Sequence, residues 1–523
     1  MVTWDFRHFL VIRRLFSRLT WWRNRSKMSL PLFSATTWTL LILLFTLLII
    51  YGVWPYGFFK KLGIPGPRPL PFVGTIPFAL KKPSHFDIDC QRKYGNVWGL
   101  FEGRKPLLMV TDPEMIKAIL VKECYSTFTN RREFASEIAG PFVDGITVVK
   151  DEKWKRIRNT VSPSFTSGRL RQIFPLVERY ADRLIGTLKK RNLEDSISVK
   201  EFMASYSLDV VTSASFSVDT DSTNNPEDHF VLQVKKILKM RFWLLFVTLI
   251  FPFSVLLFKL LDIGLMPKDS VEYFYNVIKR IKNQHVAEES KRTDFLQLMI
   301  QNEIPATQIQ NDEQPSKGLT ENEILSQAFI FILGGYDTTS TTLSYILYHL
   351  AINPDAMHTL QEEIDSNLTK DDSISYDSLM SLQYLDQVIC ESMRLTPTAP
   401  RLERLCKATI QLNGVTIPQG TLVGIPAYLL HVSPQYWSTP GLFKPERFSK
   451  DNGEEVNPYA YMPFGLGPRN CVGMRFALLV MKVVLLRLLQ NYNVKSCRET
   501  VIPLEFNMIF QPKTPIKLKF SPR

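Results

Sequence analysis

The sequence predicts a mainly α fold with a small β portion, one large domain carried behind a single N-terminal membrane helix. Three observations predict it. Met28 to Phe59 contains no charged residue; long helical periodicities fill most of the remainder; alternating, strand-like patterns are short and bounded by Gly, Pro and Asn. No βαβ alternation and no internal repeat is present.

The membrane helix comes first. TLLILLFTLLIIYGVW (39–54) is almost wholly apolar, and with Leu30 to Trp38 it exceeds the roughly 20 residues a bilayer requires. Lys60 and Lys61 follow. The prolines of IPGPRPLP (64–71) cannot continue a helix and read as a stiff spacer. The expected organisation is a basic extension (1–27), an anchor (28–59), a Pro-rich hinge (60–71) and a catalytic domain (72–523). Residues 1–27 carry Arg7, Arg13, Arg14, Arg18, Arg23, Arg25 and Lys27 against Asp5 alone. Counted from Met1, the positive-inside rule places the main domain outside the cytosol; counted from Met28, it places it in the cytosol. We read Met28 as the working start. The rival reading takes FRHFLVIRRLFSRL (6–19) as a mitochondrial presequence.

Within the main domain, GLTENEILSQAFIFILGGYDTTSTTLSYILYHLAINP (318–354) opens on a capping box, Thr320 with Glu323, and stops at Asn353-Pro354. That predicts a helix of roughly 33 residues, about 50 Å long, crossing the middle of the domain. A second helix ends at Thr396-Pro397. ATIQLNGVTIPQGTLVGIP (408–426) alternates around Asn413-Gly414 as a hairpin does, and VGMRFALLVMKVVLLRLLQNY (472–492) is again helical. RFWLLFVTLIFPFSVLLFKLLDIGLMP (241–267) is a second apolar stretch, but Pro252 and Lys259 disfavour a second span.

Composition narrows the function classes. The chain is 45% hydrophobic and 22% charged, which builds a core and excludes disorder. Its six cysteines include no CxxC pair, against both a disulfide scaffold and a zinc site, and they favour a reducing compartment. A net charge of +13 suits an anionic membrane face or an acidic protein. No nucleic-acid motif accompanies it.

One cysteine is placed differently from the rest. In YMPFGLGPRNCVG, Gly465 and Gly467 free the backbone to lie against something flat, Pro468 stiffens the approach, and Cys471 reads as the start of a helix, where the dipole favours thiolate. Gly473 leaves room for close approach. A single such thiolate suits an axial position on haem iron. The buried structural role common for isolated cysteines is accepted for Cys390, Cys406 and Cys497. Mid-helix, Gly334-Gly335-Tyr336-Asp337-Thr338-Thr339 breaks helical propensity between apolar flanks, which marks a functional position.

Phe464-x-x-Gly467-x-Arg469-x-Cys471-x-Gly473 resembles the haem-ligand signature of cytochromes P-450. So do, in order, Trp154-x-x-x-Arg158, the Gly334–Thr339 segment, Glu391-x-x-Arg394 and Pro445-Glu446-Arg447-Phe448. KECYSTFTNRR, FTSGRL, PRLERLCK and FGLGPRNCVGMRFAL resemble the vertebrate drug- and steroid-oxidising branch, family 3 subfamily A. The resemblance implies the P-450 fold and a haem b cofactor with Cys471 as its thiolate ligand. Trp154 and Arg158 would contact haem propionates, as would Arg131, Arg404 and Arg469, with Phe464 beside the ring. Glu391, Arg394 and Arg447 would form a buried network behind the haem. Asp337 and Thr338 would relay protons. Where the branch usually has alanine and glutamate, this chain has Gly334 and Asp337, and Gly334 widens the space over the iron. By position, Phe134, Thr147, Val148, Met266, Ile330, Leu333, Gly334, Ala399 and Pro400 are expected to line the pocket, although core packing explains each nearly as well.

The implied activity inserts one oxygen atom from O2 into lipophilic steroids, drugs and other xenobiotics at the endoplasmic-reticulum membrane. Nothing in the chain binds flavin or nicotinamide, so electrons come from NADPH through a flavoprotein reductase, with cytochrome b5 as a further partner. Lys122, Lys155 and Arg475 are candidates for docking it, and residues 241–267 for dipping into lipid. Two rivals are a thiolate-haem isomerase and a non-catalytic haem protein. Retention of Asp337-Thr338 argues against both.

Overall fold

The computed structural model describes residues 35–132, 140–241, 243–251, 253–287, 294–305, 317–368, 374–451, 455–507 and 510–523. The chain parts into two units between Trp54 and Pro55. The first contains helix α1 (Ala35–Val53), whose leucines and isoleucines are exposed along its length. Thr36–Lys61, with mean hydropathy 2.1, is the only helical stretch among the described residues long and apolar enough to cross a bilayer. Residues 1–27, on which the two readings of the start turn, lie outside the described residues.

The second unit is mainly helical with small sheets. Of its elements, those used below begin with α2 (Phe86–Tyr94), β1 (Val97–Glu102), β2 (Lys105–Val110), α3 (Asp151–Val161) and α4 (Ser167–Lys189). Next come β3 (Ile197–Ser198), α5 (Val199–Phe216), α6 (Trp243–Ile250), α7 (Ser254–Leu260) and α8 (Glu321–Ile352). Then follow α9 (Gln383–Leu395), β4 (Leu402–Leu405), β5 (Ile410–Leu412), β6 (Val415–Ile417), β7 (Leu422–Ile425), α10 (Met474–Asn491), β8 (Tyr492–Ser496) and β9 (Lys517–Pro522).

Helix α8 is the axis of the unit. It begins where the capping box predicts: Thr320 Oγ1 accepts from the Glu323 N–H, and Glu323 Oε2 accepts from the Thr320 N–H at 2.9 Å. It ends at Asn353, before Pro354. Most of its side chains are buried. Helix α5 lies along it, and Gly335 permits the approach, since a Cβ there would fall 2.6 Å from Val211.

The sheets belong to different parts of the core: the first packs in its own apolar cluster, the second in the cluster around α8. Four strands run in the order β1-β2-β7-β4, and only the β2–β7 pair is parallel. A second sheet runs β3-β9-β8. β5 and β6 form the expected hairpin, with Asn413 and Gly414 both at positive φ as a primed two-residue turn requires. β7 does not extend that hairpin; it lies between β2 and β4.

Two stretches singled out in the sequence are seen here. The Pro-rich segment packs against β1: Pro65 C=O accepts from the Gly99 N–H at 2.8 Å, and a Cβ on Gly66 would fall 2.1 Å from the Gly99 carbonyl. The second apolar stretch is two helices of 8 and 7 residues, each about 10–12 Å long and far short of a bilayer. They leave Trp243, Phe253, Leu256, Leu257, Leu260 and Leu261 exposed.

Candidate functional site

The segment before α10 is a tight loop. The Cys471 N–H donates to Phe464 C=O at 2.8 Å, Gly465 N–H to Met462 C=O at 2.9 Å, and Asn470 N–H to Gly467 C=O at 3.0 Å. Gly465 and Gly467 hold φ of +75° and +74°, open at little strain only to glycine. A Cβ on Gly467 would lie 1.9 Å from the Leu120 carbonyl. Gly467 therefore serves contact with the backbone of 118–122, not a flat ligand as expected.

Cys471 stands just before the helix, not in it: Gly473 is the N-cap and Met474 the first helical residue. Its side chain is exposed, but to an internal cavity of about 580 Å³ that it helps to line. Protein surrounds it closely enough that burial pushes the thiol above its usual value, against the opposing pull of the Gly473 N–H, Arg158 and Arg131. The expectation that a helix start alone would favour thiolate is thus corrected; burial outweighs it. A bound cation would reverse the balance.

Six arginines line the same cavity. Arg132 and Arg401 are paired with carboxylates, of Glu102 and Glu403 and of Asp87 and Glu102; Arg131, Arg158, Arg404 and Arg469 form no such pair among the described residues. Their hydrogen bonds go mostly to the backbone. Arg131 donates to Arg469 C=O at 2.9 Å, Arg158 to Asn470 C=O at 2.9 Å and Oδ1 at 2.8 Å, Arg404 to Glu403 C=O at 2.8 Å, and Arg469 to Val149 C=O. Arg469 also stacks over Trp154 at 4.6 Å. Arg404 Nε, Arg469 Nε and Arg469 Nη1 are buried with no hydrogen-bond partner among the described residues. Burial first, then repulsion from Arg131, lowers Arg404 to about 10; burial, then Arg131 and Arg404, lowers Arg469 to about 9. Buried, mutually repelling cations lacking a carboxylate call for an anionic ligand.

Helix α8 supplies the opposite wall. Ile330, Phe331, Gly334, Gly335, Thr338, Thr339 and Thr342 line the cavity. A Cβ on Gly334 would meet nothing within 4 Å, so that position is open space. Thr338 Oγ1 donates to Gly334 C=O at 2.6 Å and is exposed to the cavity. Asp337 is not in the lining. It pairs with Lys200 Nζ at 2.8 Å and accepts from Gln511 Nε2 at 3.4 Å, on another side of the helix.

Of the other expected pocket residues, Thr147, Val148 and Ala399 line the cavity, as does Phe464. Leu333, Met266 and Pro400 do not: Leu333 packs against the core, Met266 is buried within it, and the Pro400 carbonyl accepts from the Tyr428 N–H. Phe134 lies outside the described residues. Unforeseen in the sequence is an aromatic wall of Phe165, Phe295, Phe331 and Phe476, with Phe165 and Phe295 centroids 4.8 Å apart. Also unforeseen is the Arg132–Glu403 ion pair at 2.7 Å. These residues come from separate segments, and no local pattern marks them. Among the surface cations, Lys122 and Arg475 are exposed, while Lys155 pairs with Glu152 at 2.6 Å.

Behind the loop, Glu391, Arg394 and Arg447 are fully buried. Glu391 accepts from Arg394 Nε at 2.7 Å and Nη2 at 2.8 Å, from Arg447 Nε at 3.2 Å and from the Lys444 N–H at 2.9 Å. The guanidiniums also donate to the carbonyls of His431, Pro440 and Leu442, from Arg394, and of Thr439, from Arg447.

Residues 64–520 match the model of the cytochrome P450 family. The chain is a cytochrome P450. It is 48% identical over 497 residues to cytochrome P450 3A40 of Oryzias latipes, covering 94% of this chain and 98% of that one. It is also 48% identical over 501 residues to cytochrome P450 3A9 of Rattus norvegicus, covering 94% and 98%. It is thus a P450 monooxygenase of the 3A subfamily. The family implies haem with a thiolate ligand. This P450 fits such a group on two counts: a thiol faces the cavity, and unpartnered buried guanidinium nitrogens surround it where two propionates need cations.

Proposed function

We propose that this P450 is a haem-thiolate monooxygenase of lipophilic substrates, steroids, drugs and other xenobiotics, driven by NADPH through a flavoprotein reductase. The observation that carries the reading is the convergence on one cavity of Cys471, Thr338 and the arginines Arg131, Arg158, Arg404 and Arg469. Cys471 Sγ is the residue to hold iron, and Arg131, Arg158, Arg404 and Arg469, with Trp154, to hold the propionates. When bound, haem supplies the O2 chemistry, delivering one oxygen atom to substrate and the other to water.

The chain's own residues supply the rest. Phe165, Phe295, Phe331 and Ile330 exclude water and offer apolar surface to a lipophilic molecule. The Thr338 hydroxyl holds a proton at Oγ1 inside the cavity, and Asp337, tied to Lys200 and Gln511, takes protons from outside it. Glu391, Arg394 and Arg447 act on positioning alone. Helix α1 and the exposed apolar residues of α6 and α7 are suited to lipid, and we assign the protein to the endoplasmic-reticulum membrane with residues 72–523 in the cytosol. Lys122, Lys155 and Arg475 are the proposed contacts for the acidic reductase, with cytochrome b5 a second donor.

The test is a reduced carbon monoxide difference spectrum. Wild type is expected to show the thiolate Soret band and Cys471→Ala to lose it. A colourless wild type, or an unchanged band in Cys471→Ala, refutes the reading.

A further inference from the structure

Gln327 is fully buried in α8 and spends its hydrogen bonds on another segment. Its Oε1 accepts from the Ile146 N–H at 2.7 Å; its Nε2 donates to Asp144 C=O at 2.7 Å and to Glu323 C=O at 3.0 Å. The Glu323 carbonyl belongs to α8 itself; the other two groups belong to the 144–149 loop, which lays Ile146, Thr147 and Val148 against the cavity and whose Val149 carbonyl accepts from Arg469. Gln327 itself does not line the cavity. On the helix it stands seven residues before Gly334 and eleven before Thr338, hence on one face with both. One amide thus fixes the height of a substrate-facing loop relative to the helix wall opposite. A second tie reinforces it: Lys153 Nζ reaches Asp144 Oδ1 at 2.5 Å and Glu323 Oε1 at 3.5 Å.

We propose that Gln327 is a positioning residue for substrate orientation, acting through the 144–149 loop; this rests on the monooxygenase reading above. Without its amide, the Ile146 N–H and Asp144 C=O must seek other partners, and the loop shifts within the cavity. Substrate then binds in altered poses.

The test uses the full-length chain reconstituted with reductase in lipid, and testosterone as the lipophilic probe. Gln327→Met keeps the volume and removes the hydrogen bonds. It is expected to keep the carbon monoxide band, raise KM about tenfold, leave kcat within about twofold and change the ratio of hydroxylated positions. Lys153→Met should move KM the same way by less. Unchanged KM and product ratio in a Gln327→Met protein with a normal band overturn the proposal. Should Gln327→Met fail to fold, Lys153→Met and hydrogen exchange in the wild type decide. An Ile146 amide that exchanges as fast as open loop overturns the proposal, and slow exchange with a shifted KM in Lys153→Met supports it. A wild type lacking the carbon monoxide band brings down the function reading itself, an outcome distinct from these.

Discussion

Replacing Glu391 by glutamine removes the carboxylate that joins two fully buried arginines. Four donors converge on that carboxylate: two from Arg394, one from Arg447 and the Lys444 N–H. A glutamine amide has one oxygen in place of two and turns an NH2 group toward a guanidinium. The substitution also takes one negative charge from between the two guanidiniums, while the backbone carbonyls around them remain the same. Breaking a buried pair by removing one partner costs about 3–5 kcal/mol. A folded domain has only about 5–15 kcal/mol in hand, so the variant keeps about four fifths of it at best and almost none at worst. Thermal unfolding with haem content per unit protein is the assay. Glu391→Gln is expected to lose most of its holoprotein, and Glu391→Asp, which keeps the charge, should lose less. A Glu391→Gln protein within about 1 kcal/mol of wild type would refute the claim that charge neutralisation holds this cluster.

Two further outcomes can be measured. Thr338→Ala loses one hydrogen bond back along its own helix, so stability should change by less than about 1 kcal/mol, while electrons are diverted from product to peroxide; product and peroxide yields per NADPH check this, and unchanged coupling excludes the proton role. His349 is buried beside Thr396 and stacked on Phe443, and burial lowers it to about 3, with Arg394 contributing. The unfolded chain therefore binds a proton that the native state does not, and between pH 6.5 and about 3 this group removes stability as pH falls, by about 1.4 kcal/mol per pH unit. His349→Gln should flatten the acid limb of a melting-temperature profile without altering it above pH 7.

What the sequence makes legible is what is encoded locally. Helix α8 could be read to within a residue or two because its cap, its stop and its apolar flanks are all contiguous. The Cys471 loop was readable because glycine alone tolerates its backbone angles. Helical phase was the hard part. Leu333 and Asp337 each sit one position from cavity residues, Gly334 and Thr338, and one step of about 100° sends them elsewhere. Gly467 and Gly335 were visible as glycines, but what they approach, Leu120 and Val211, lies far away in sequence. The aromatic wall drew on four separate segments, and Gln327 looked like any polar residue on a helix.

The arginines around the cavity have a consequence for biosynthesis. Before any anion arrives, the nascent chain must gather like charges into a poorly hydrated space, so the empty form begins at a disadvantage. A dianion that enters removes that disadvantage and adds its own binding energy to the native state. Cellular abundance of the protein should then track porphyrin supply, with chains made in excess of it handed to quality control.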